Sequence, residues 1–253
     1  MNRELEQSQK DFFSDQGFLV LPGIFDIGAI QEVQQLLDPL FQDSCKLIES
    51  ALYRDGEQRE KAHPRSAEVY RAVRMEPRLA RTTVYRTCQT LAKQLLGWNT
   101  AYSYDHAIYK RPYSDGETPW HQDQAYMGHA VSLNTANFWI PLQDVTELNG
   151  CMQFVPRSHR RGLLPHRRLN LDSHAQILGV AEIEHTKSVP CPLLVGGITV
   201  HTPLTLHYTS PNITDDVRRA WSVHFGPFGQ LAKLHPRIVL KFIYDRSLPR
   251  PSF

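Results

Sequence analysis

Only four cysteines, Cys45, Cys88, Cys151 and Cys191, occur in 253 residues, and no two form a Cys-x-x-Cys pair. A zinc ribbon or a thioredoxin-like redox site is therefore unsupported, and buried thiols in a reducing cytoplasm are the expectation. No run of about 18 apolar residues exists to span a membrane. The opening Met1 to Lys10 is polar and mixed in charge, unlike a secretory signal. The closing Pro251-Ser252-Phe253 is neither a peroxisomal Ser-Lys-Leu address nor a lipidation motif. A dominant charge is also missing. Lys and Arg number 28 against 26 Asp and Glu, a net +2, and so weak a field gives no support to a nucleic-acid or membrane-surface binder. Any partner must be read from local sites.

What is present is enough apolar material for a core: 41% of residues are hydrophobic and 21% charged, which excludes a wholly disordered chain. The first hundred residues read as helical. Glu4 to Phe13 forms an opening helix, ended near Asp15-Gln16-Gly17, and a short strand-like run, Phe18 to Leu21, precedes Pro22-Gly23. Ile30, Val33, Leu37 and Phe41 then recur at helical spacing. A charged stretch from Tyr53 to Pro64 reads as a solvated loop, and a further helix is predicted from Pro77 to Leu96, with Val84, Cys88, Leu91 and Leu95 on one face and Gly97 after its end.

From about Ala101 the pattern becomes that of strands. Tyr102 to Tyr109, Asn137 to Leu142, Met152 to Val155, Ile198 to Val200, Leu204 to Tyr208 and Ala220 to Phe225 are short, rich in aromatic or β-branched residues, and separated by Gly, Pro and Asn. A β-barrel or jelly roll is predicted, with the helices packed on one outer face. No repeat, low-complexity tract or linker interrupts the chain. A single domain over 1–253 is expected: a helical part to about 100, a jelly-roll core to about 227 and a tail over 228–253.

The most informative segment is Trp120-His121-Gln122-Asp123-Gln124. On a strand or its extended end, residues two apart point the same way, so His121 and Asp123 would enter one cavity while Gln122 faces elsewhere. A nitrogen and a carboxylate oxygen, joined by a second histidine from a distant strand, make the facial triad that holds non-haem Fe(II). The His-x-Asp pair alone also fits an ordinary hydrogen-bonded surface pair.

Longer blocks carry more weight. "DFFSDQGFLVLPGIF", "YKRP", "WHQDQAY", "FWIPLQDVTELNGCMQFVPRSHR" and "GGITVHTPLTLHYTSPNITDDVRRAWSVHF" occur in this order and cover most of the chain to about Pro227. With them the sequence resembles the phytanoyl-CoA dioxygenase family of Fe(II)- and 2-oxoglutarate-dependent oxygenases. The resemblance implies a double-stranded β-helix (a cupin-like jelly roll) with supporting N-terminal helices. It makes His121 and Asp123 iron ligands and, from the turn that follows Leu206-His207-Tyr208, His207 the third; His201 matches a non-ligating position and is held in reserve. It also implies that Arg218 anchors the far carboxylate of 2-oxoglutarate with help from Thr209, and that Lys110 and Trp139 line the same pocket, although Lys110 could be solvated and Trp139 plain core. A planar guanidinium suits a carboxylate through paired hydrogen bonds, whereas Arg219 would face the other side of a strand.

The implied activity uses Fe(II), 2-oxoglutarate and O2 to hydroxylate an unactivated C–H bond of a small-molecule substrate. The retained Asp123 disfavours halogenation, in which related enzymes replace the carboxylate ligand. A sensor without turnover, or a zinc hydrolase using the same ligand types, are the alternatives; the second leaves Arg218 unexplained. The family's Pro-Gly-Ser-His is here Pro156-Arg157-Ser158-His159, a cation where glycine normally makes a tight turn. From Leu148 to Leu171 there is no acid, while Arg157, Arg160, Arg161, Arg167 and Arg168 are present. A solvated loop is the plainer reading, and attraction of an anionic substrate the sharper one.

Overall fold

The computed structural model describes residues 3–42, 66–114, 116–127, 134–168, 178–180 and 187–227. The predicted loop Tyr53–Pro64, Cys45 and the 228–253 tail lie outside them. Helix α1 (Gln7–Gln16) starts later than expected, at a capping box between Glu6 and Gln9, and stops at Gly17, whose φ of 85° is the left-handed conformation that ends a helix. Strand β1 (Phe18–Leu21) coincides with the predicted run. In α2 (Ile27–Gln42) Ile30, Val33, Leu37 and Leu40 are buried, the stripe that helical spacing requires.

Strand β2 (Ser66–Tyr70) was not read in the sequence, and a short helix α3 (Ala72–Met75) follows it. The single helix expected over Pro77–Leu96 is in fact two segments. Pro77–Arg81 winds as a 3-10 turn and α4 (Thr83–Leu96) restarts after it. Thr82 causes the break: it is extended, its hydroxyl accepts from the Tyr85 N–H at 3.2 Å, and it donates to the Leu79 carbonyl at 2.7 Å. That is an N-cap in the middle of an apolar stripe.

The strands that follow are β3 (Thr100–Lys110), β4 (Thr118–His121), β5 (Ala136–Pro141), β6 (Met152–Phe154), β7 (Arg167–Arg168), β8 (Leu178–Gly179), β9 (Val189–Cys191), β10 (Ile198–His201), β11 (His207–Thr209) and β12 (Arg218–Pro227). Six strands form the sheet β1-β10-β5-β12-β3-β2, four form β4-β11-β6-β9, and β7 pairs with β8. Every pairing is antiparallel. This is the double-stranded β-helix the resemblance implied. β11 starts later than predicted, because Thr202 to Thr205 form a turn in which the Thr205 hydroxyl donates to the Gly17 carbonyl at 2.6 Å.

The six-stranded sheet has two unlike faces. Trp221, Val223 and Phe225 of β12 join Val33, Leu37, Val84 and Leu91 of the helices in the main core. The alternate residues Arg218, Ala220, Ser222 and His224 face the four-stranded sheet, as a period of two demands. A smaller cluster including Phe18, Trp139, Cys151, Phe154 and Cys191 closes part of the space between the sheets. Cys88, Cys151 and Cys191 are buried free thiols.

A β-bulge lets one acid tie helices to sheet. Register shifts between His224 and Phe225, so that Phe225 pairs with Tyr102 and Ser103 is left over on β3. Tyr102 thereby shares the helix-covered face with Asp105. The buried Asp105 carboxylate accepts from the Tyr102 hydroxyl at 2.5 Å, the Trp221 indole N–H at 2.9 Å and the Val73 N–H at 3.2 Å. Burial pushes its pKa up to about 6 despite these donors. Between the ordinary value of 3.8 and about 6 the folded protein holds more protons here than the unfolded chain, so stability falls as pH rises through that window and is level above it. Asp105→Asn should remove this slope and cost roughly 1–3 kcal/mol, because the new amide N–H groups face donors. Urea unfolding at pH 4.5 and pH 7 checks it: an equal pH difference in parent and variant would refute the assignment.

Candidate metal and cosubstrate site

His121 closes β4, but Asp123 lies beyond the strand, at the first position of a 3-10 turn, Asp123–Met127. Gln122 between them fixes this strand end. It is fully buried, its amide donates to the Gly162 carbonyl at 2.9 Å and the Leu204 carbonyl at 2.6 Å, and its oxygen accepts from the Leu164 N–H at 2.8 Å. Gln122 thus faces away from the hollow, as expected, while His121 and Asp123 share it. His207 opens β11 directly opposite His121 in the β11–β4 ladder. One ligand atom from each of His121, Asp123 and His207 lies within 4.8 Å of the others. The imidazole Nε2 atoms of His121 and His207 stand 3.5 and 3.6 Å from the same oxygen, Asp123 Oδ1.

The ring orientations suit metal binding. His121 Nδ1 meets the Pro119 carbonyl at 2.8 Å, and His207 Nδ1 meets the Thr205 carbonyl at 2.9 Å. A carbonyl only accepts, so each Nδ1 carries a proton, and in the neutral ring Nε2 offers its lone pair to the hollow. Burial, and then the neighbouring His121, hold His207 well below the ordinary histidine range. Burial alone would raise Asp123, but His207, His121 and His201 together hold it well below the usual carboxylate range.

The other oxygen of Asp123 is taken. Oδ2 accepts from His201 Nε2 at 3.2 Å and from the amide of Asn137 in a short hydrogen bond. Asn137 is fully buried, and the Thr135 hydroxyl donates to its oxygen at 2.8 Å, which turns the NH2 toward the carboxylate. His201 is thus a neighbour of the carboxylate and stands outside the set of converging ligand atoms. Asn137 and Thr135 were not singled out from the sequence. The available signal was a polar residue at an inward position of the otherwise apolar strand Ala-Asn-Phe-Trp-Ile-Pro.

Along β11, Thr209 lies two residues from His207 and so on the same face, about 7 Å further on. There the hollow turns cationic. Lys110 and Arg218 are cross-strand partners, each only 1% exposed. Lys110 Nζ donates to the Thr209 hydroxyl at 2.7 Å, the Thr209 carbonyl at 3.1 Å and the Ser210 carbonyl at 2.7 Å. All three ammonium protons are therefore in use, and the Thr209 O–H remains a donor. Gly150 permits this packing: a Cβ there would lie 2.6 Å from the Ser210 carbonyl oxygen. Arg218 lies over the Trp139 ring at 5.6 Å, yet its Nε and Nη1 have no acceptor among the described residues. Burial pushes Arg218 down to about 10, which leaves it charged at neutral pH, and burial with Arg218 alongside holds Lys110 well below the ordinary lysine value. A buried cation with idle donors is costly by itself and fits a carboxylate in the same hollow.

Arg219, on the opposite face, lies over Tyr109 at 5.5 Å and reaches Asp38 at 3.5 Å. Arg157 adopts the left-handed conformation, φ 61°, so the turn keeps the geometry glycine would give it. Arg157 and Arg160 both pair with Asp15, at 2.7 and 2.5 Å. Two cations of the basic run thus hold the end of α1.

Comparison with known proteins agrees with this architecture. The chain is 31% identical over 135 residues to the phytanoyl-CoA dioxygenase domain-containing protein 1 homolog of Dictyostelium discoideum, a match covering 51% of this chain and 47% of that protein. It is 24% identical over 233 residues to the peroxisomal phytanoyl-CoA dioxygenase of Homo sapiens, covering 88% and 69%. Matches to the domain-containing protein 1 relatives of Bos taurus and Mus musculus span 42% of those proteins' length. Among solved structures, EvdO2 from Micromonospora carbonacea var. aurantiaca, complexed with 2-oxoglutarate, superposes with a TM-score of 0.77 at 26% identity, covering 90% of this chain and 93% of that one. The family model for phytanoyl-CoA dioxygenase (PhyH) matches residues 13–220, and the chain belongs to that family.

Proposed function

We propose that this chain is a non-haem Fe(II)- and 2-oxoglutarate-dependent dioxygenase, one domain over 1–253, acting on a small organic molecule. The balanced reaction converts a C–H bond, 2-oxoglutarate and O2 into C–OH, succinate and CO2. The observation that carries this reading is the buried Arg218, with idle donors, in the hollow that also holds the His121, Asp123 and His207 ligand atoms. A zinc hydrolase needs the triad but has no use for that guanidinium. Family membership and the likeness to a protein crystallised with 2-oxoglutarate support the same reading.

Ferrous iron, when bound, supplies oxygen activation and the oxidising power for C–H cleavage. The protein's own part is placement. The Pro119 and Thr205 carbonyls hold the two imidazoles with Nε2 inward. Asn137 and His201 occupy Asp123 Oδ2, leaving Oδ1 as the ligand atom. Arg218 receives the distal carboxylate of 2-oxoglutarate, the Thr209 hydroxyl adds one donor, and Trp139 forms a wall against which the guanidinium lies. Lys110 fixes Thr209 without donating to the cosubstrate. The pairing of Arg157 and Arg160 with Asp15 weakens the case for the basic run as an anion receptor.

Anaerobic addition of Fe(II) and 2-oxoglutarate should give a visible charge-transfer band, and oxygen should then release succinate; a colourless, oxygen-independent protein would remove the proposal. Asp123→Ala should lose both the band and succinate formation. Arg218→Ala should raise the KM for 2-oxoglutarate about 10- to 100-fold, the worth of a charge-assisted pair, with metal binding retained. Asn137→Ala should weaken Mn(II) or Fe(II) binding about 10- to 100-fold, as loss of a residue orienting a ligand does. Calorimetric titration of the metal alone, beside a thermal melt of the apoprotein, separates this from a folding defect.

A further inference from the structure

Beyond Asn137 the inner face of the six-stranded sheet continues across β12, β3 and β2, and its side chains change character. Cross-strand register places Asn137, His224 and Tyr104 in one row, and Trp139, Ser222, His106 and Tyr70 in the next. Adjacent strands lie about 4.8 Å apart, so the rows reach roughly 10–15 Å sideways from the residue that holds Asp123. The rings form one connected patch. Tyr104 is 5.4 Å from His224 and 5.5 Å from His106, His106 is 5.8 Å from His224, and Tyr70 is 6.1 Å from His106. The Ser222 hydroxyl meets His224 Nε2 at 3.0 Å.

On the opposite face of the same strands Asp105, Ala107, Trp221, Val223 and Phe225 are wholly buried, whereas Tyr70, Tyr104, His106 and His224 keep part of their surface open. An inner sheet face that served only as core would be closed and largely apolar. This one is aromatic, edged with hydroxyl and imidazole groups, and continuous with the metal site through Asn137. It also carries no cation at its centre, in contrast with the Lys110–Arg218 end. Arg71 stands at its margin, 5.7 Å from the Tyr104 ring. Burial keeps His224 uncharged at neutral pH, although Asp123 is near enough to oppose this.

We propose that Tyr70, Tyr104, His106, Ser222 and His224 form the substrate platform, and that it takes an uncharged ring compound bearing hydroxyl groups, such as a sugar or a phenol. Ring faces stack on the aromatic groups, while edge hydroxyls exchange hydrogen bonds with imidazole, phenol and serine. A fatty acyl chain finds only Ile108 and Ala220 as aliphatic neighbours on the inner face of β3 and β12. The proposal rests on the oxygenase reading, and the test separates the two.

The full chain, loaded with Mn(II) and 2-oxoglutarate, is titrated with methyl glucoside, resorcinol or octanoyl-coenzyme A while relaxation of the probe's protons by Mn(II) is followed by NMR. Zn(II) serves as the diamagnetic reference. One ring probe should bind with enhanced relaxation, identifying sugar or phenol as the source, and octanoyl-coenzyme A should not. Tyr104→Ala and His224→Ala should weaken that ring probe about ten-fold or more and leave 2-oxoglutarate affinity unchanged. Tyr104→Phe and His106→Gln, which preserve shape, should give intermediate losses and guard against a misfolded alanine variant. Absence of binding by both ring probes at millimolar concentration, binding of the acyl probe instead, or equal ring-probe binding by parent and variants overturns the platform. Failure of 2-oxoglutarate to bind the Mn(II)-loaded parent overturns the oxygenase reading itself.

Discussion

The alternation of side chains along β12 is the constraint on which the site depends. This ten-residue strand pairs with β3 on one side and β5 on the other, so its register is fixed twice. Both of its faces are committed: Trp221, Val223 and Phe225 to the helical layer, and Arg218, Ser222 and His224 to the space between the sheets. A slip of one residue would drive Arg218 into hydrocarbon and Trp221 into the hollow. The apolar face therefore determines the register, and the register determines where a guanidinium, a hydroxyl and an imidazole stand. Placement of these groups is here a by-product of core packing.

Charge is divided along the hollow. At one end the two imidazole Nε2 atoms that offer lone pairs face one oxygen of Asp123, while His201 and Asn137 donate to the other. At the far end Lys110 and Arg218 lie side by side, Glu68 acts on both through space, and Nε and Nη1 of Arg218 have no acceptor among the described residues. A buried guanidinium with idle donors costs several kcal/mol unless opposite charge is brought in. A dicarboxylate entering the hollow meets that need, and the fold holds the donors in place before it arrives. Such preorganisation separates binding from reorganisation, because Thr209 is already fixed by Lys110 and Arg218 already rests on Trp139.

Much of this was legible in the sequence. Phe18–Leu21 was bounded correctly because Gly17 and Pro22-Gly23 punctuate it, and the core strands were recognisable from β-branched and aromatic runs. The converging set His121, Asp123 and His207 followed from motif order, with the two-residue spacing of His121 and Asp123 as a hint. That hint worked for a partly different reason: Asp123 is off the strand, and buried Gln122 bends the chain so that the two still converge. The break at Thr82 was hidden because a threonine cap lies inside an unbroken apolar periodicity, and hydrophobic spacing does not register a capping hydroxyl. β2 was missed because only Val69 and Tyr70 of Ser-Ala-Glu-Val-Tyr are strand formers, too few to give a pattern. Asn137 escaped notice because one polar residue in an apolar strand has meaning only once its partner, fourteen positions away, is placed beside it.

Arg157 illustrates how a departure from a family pattern is absorbed. A left-handed non-glycine residue costs about 1–2 kcal/mol, and the turn nevertheless keeps its shape, with the Arg157 N–H donating to the Gln16 carbonyl at 2.9 Å. The side chain then reaches Asp15, where Arg160 joins it. The offset comes from docking the end of α1 against the turn, which also sets Gly17 beneath Thr205 and so the turn that leads into His207. A local backbone cost is thus offset by long-range contacts that lead toward His207. Conversely, the helix-covered face contains most of the buried apolar residues, in one large cluster, while the space between the sheets has one small one. Stability resides mainly on the first face, which leaves the second able to carry open, polar and charged groups without unfolding the sheet that presents them.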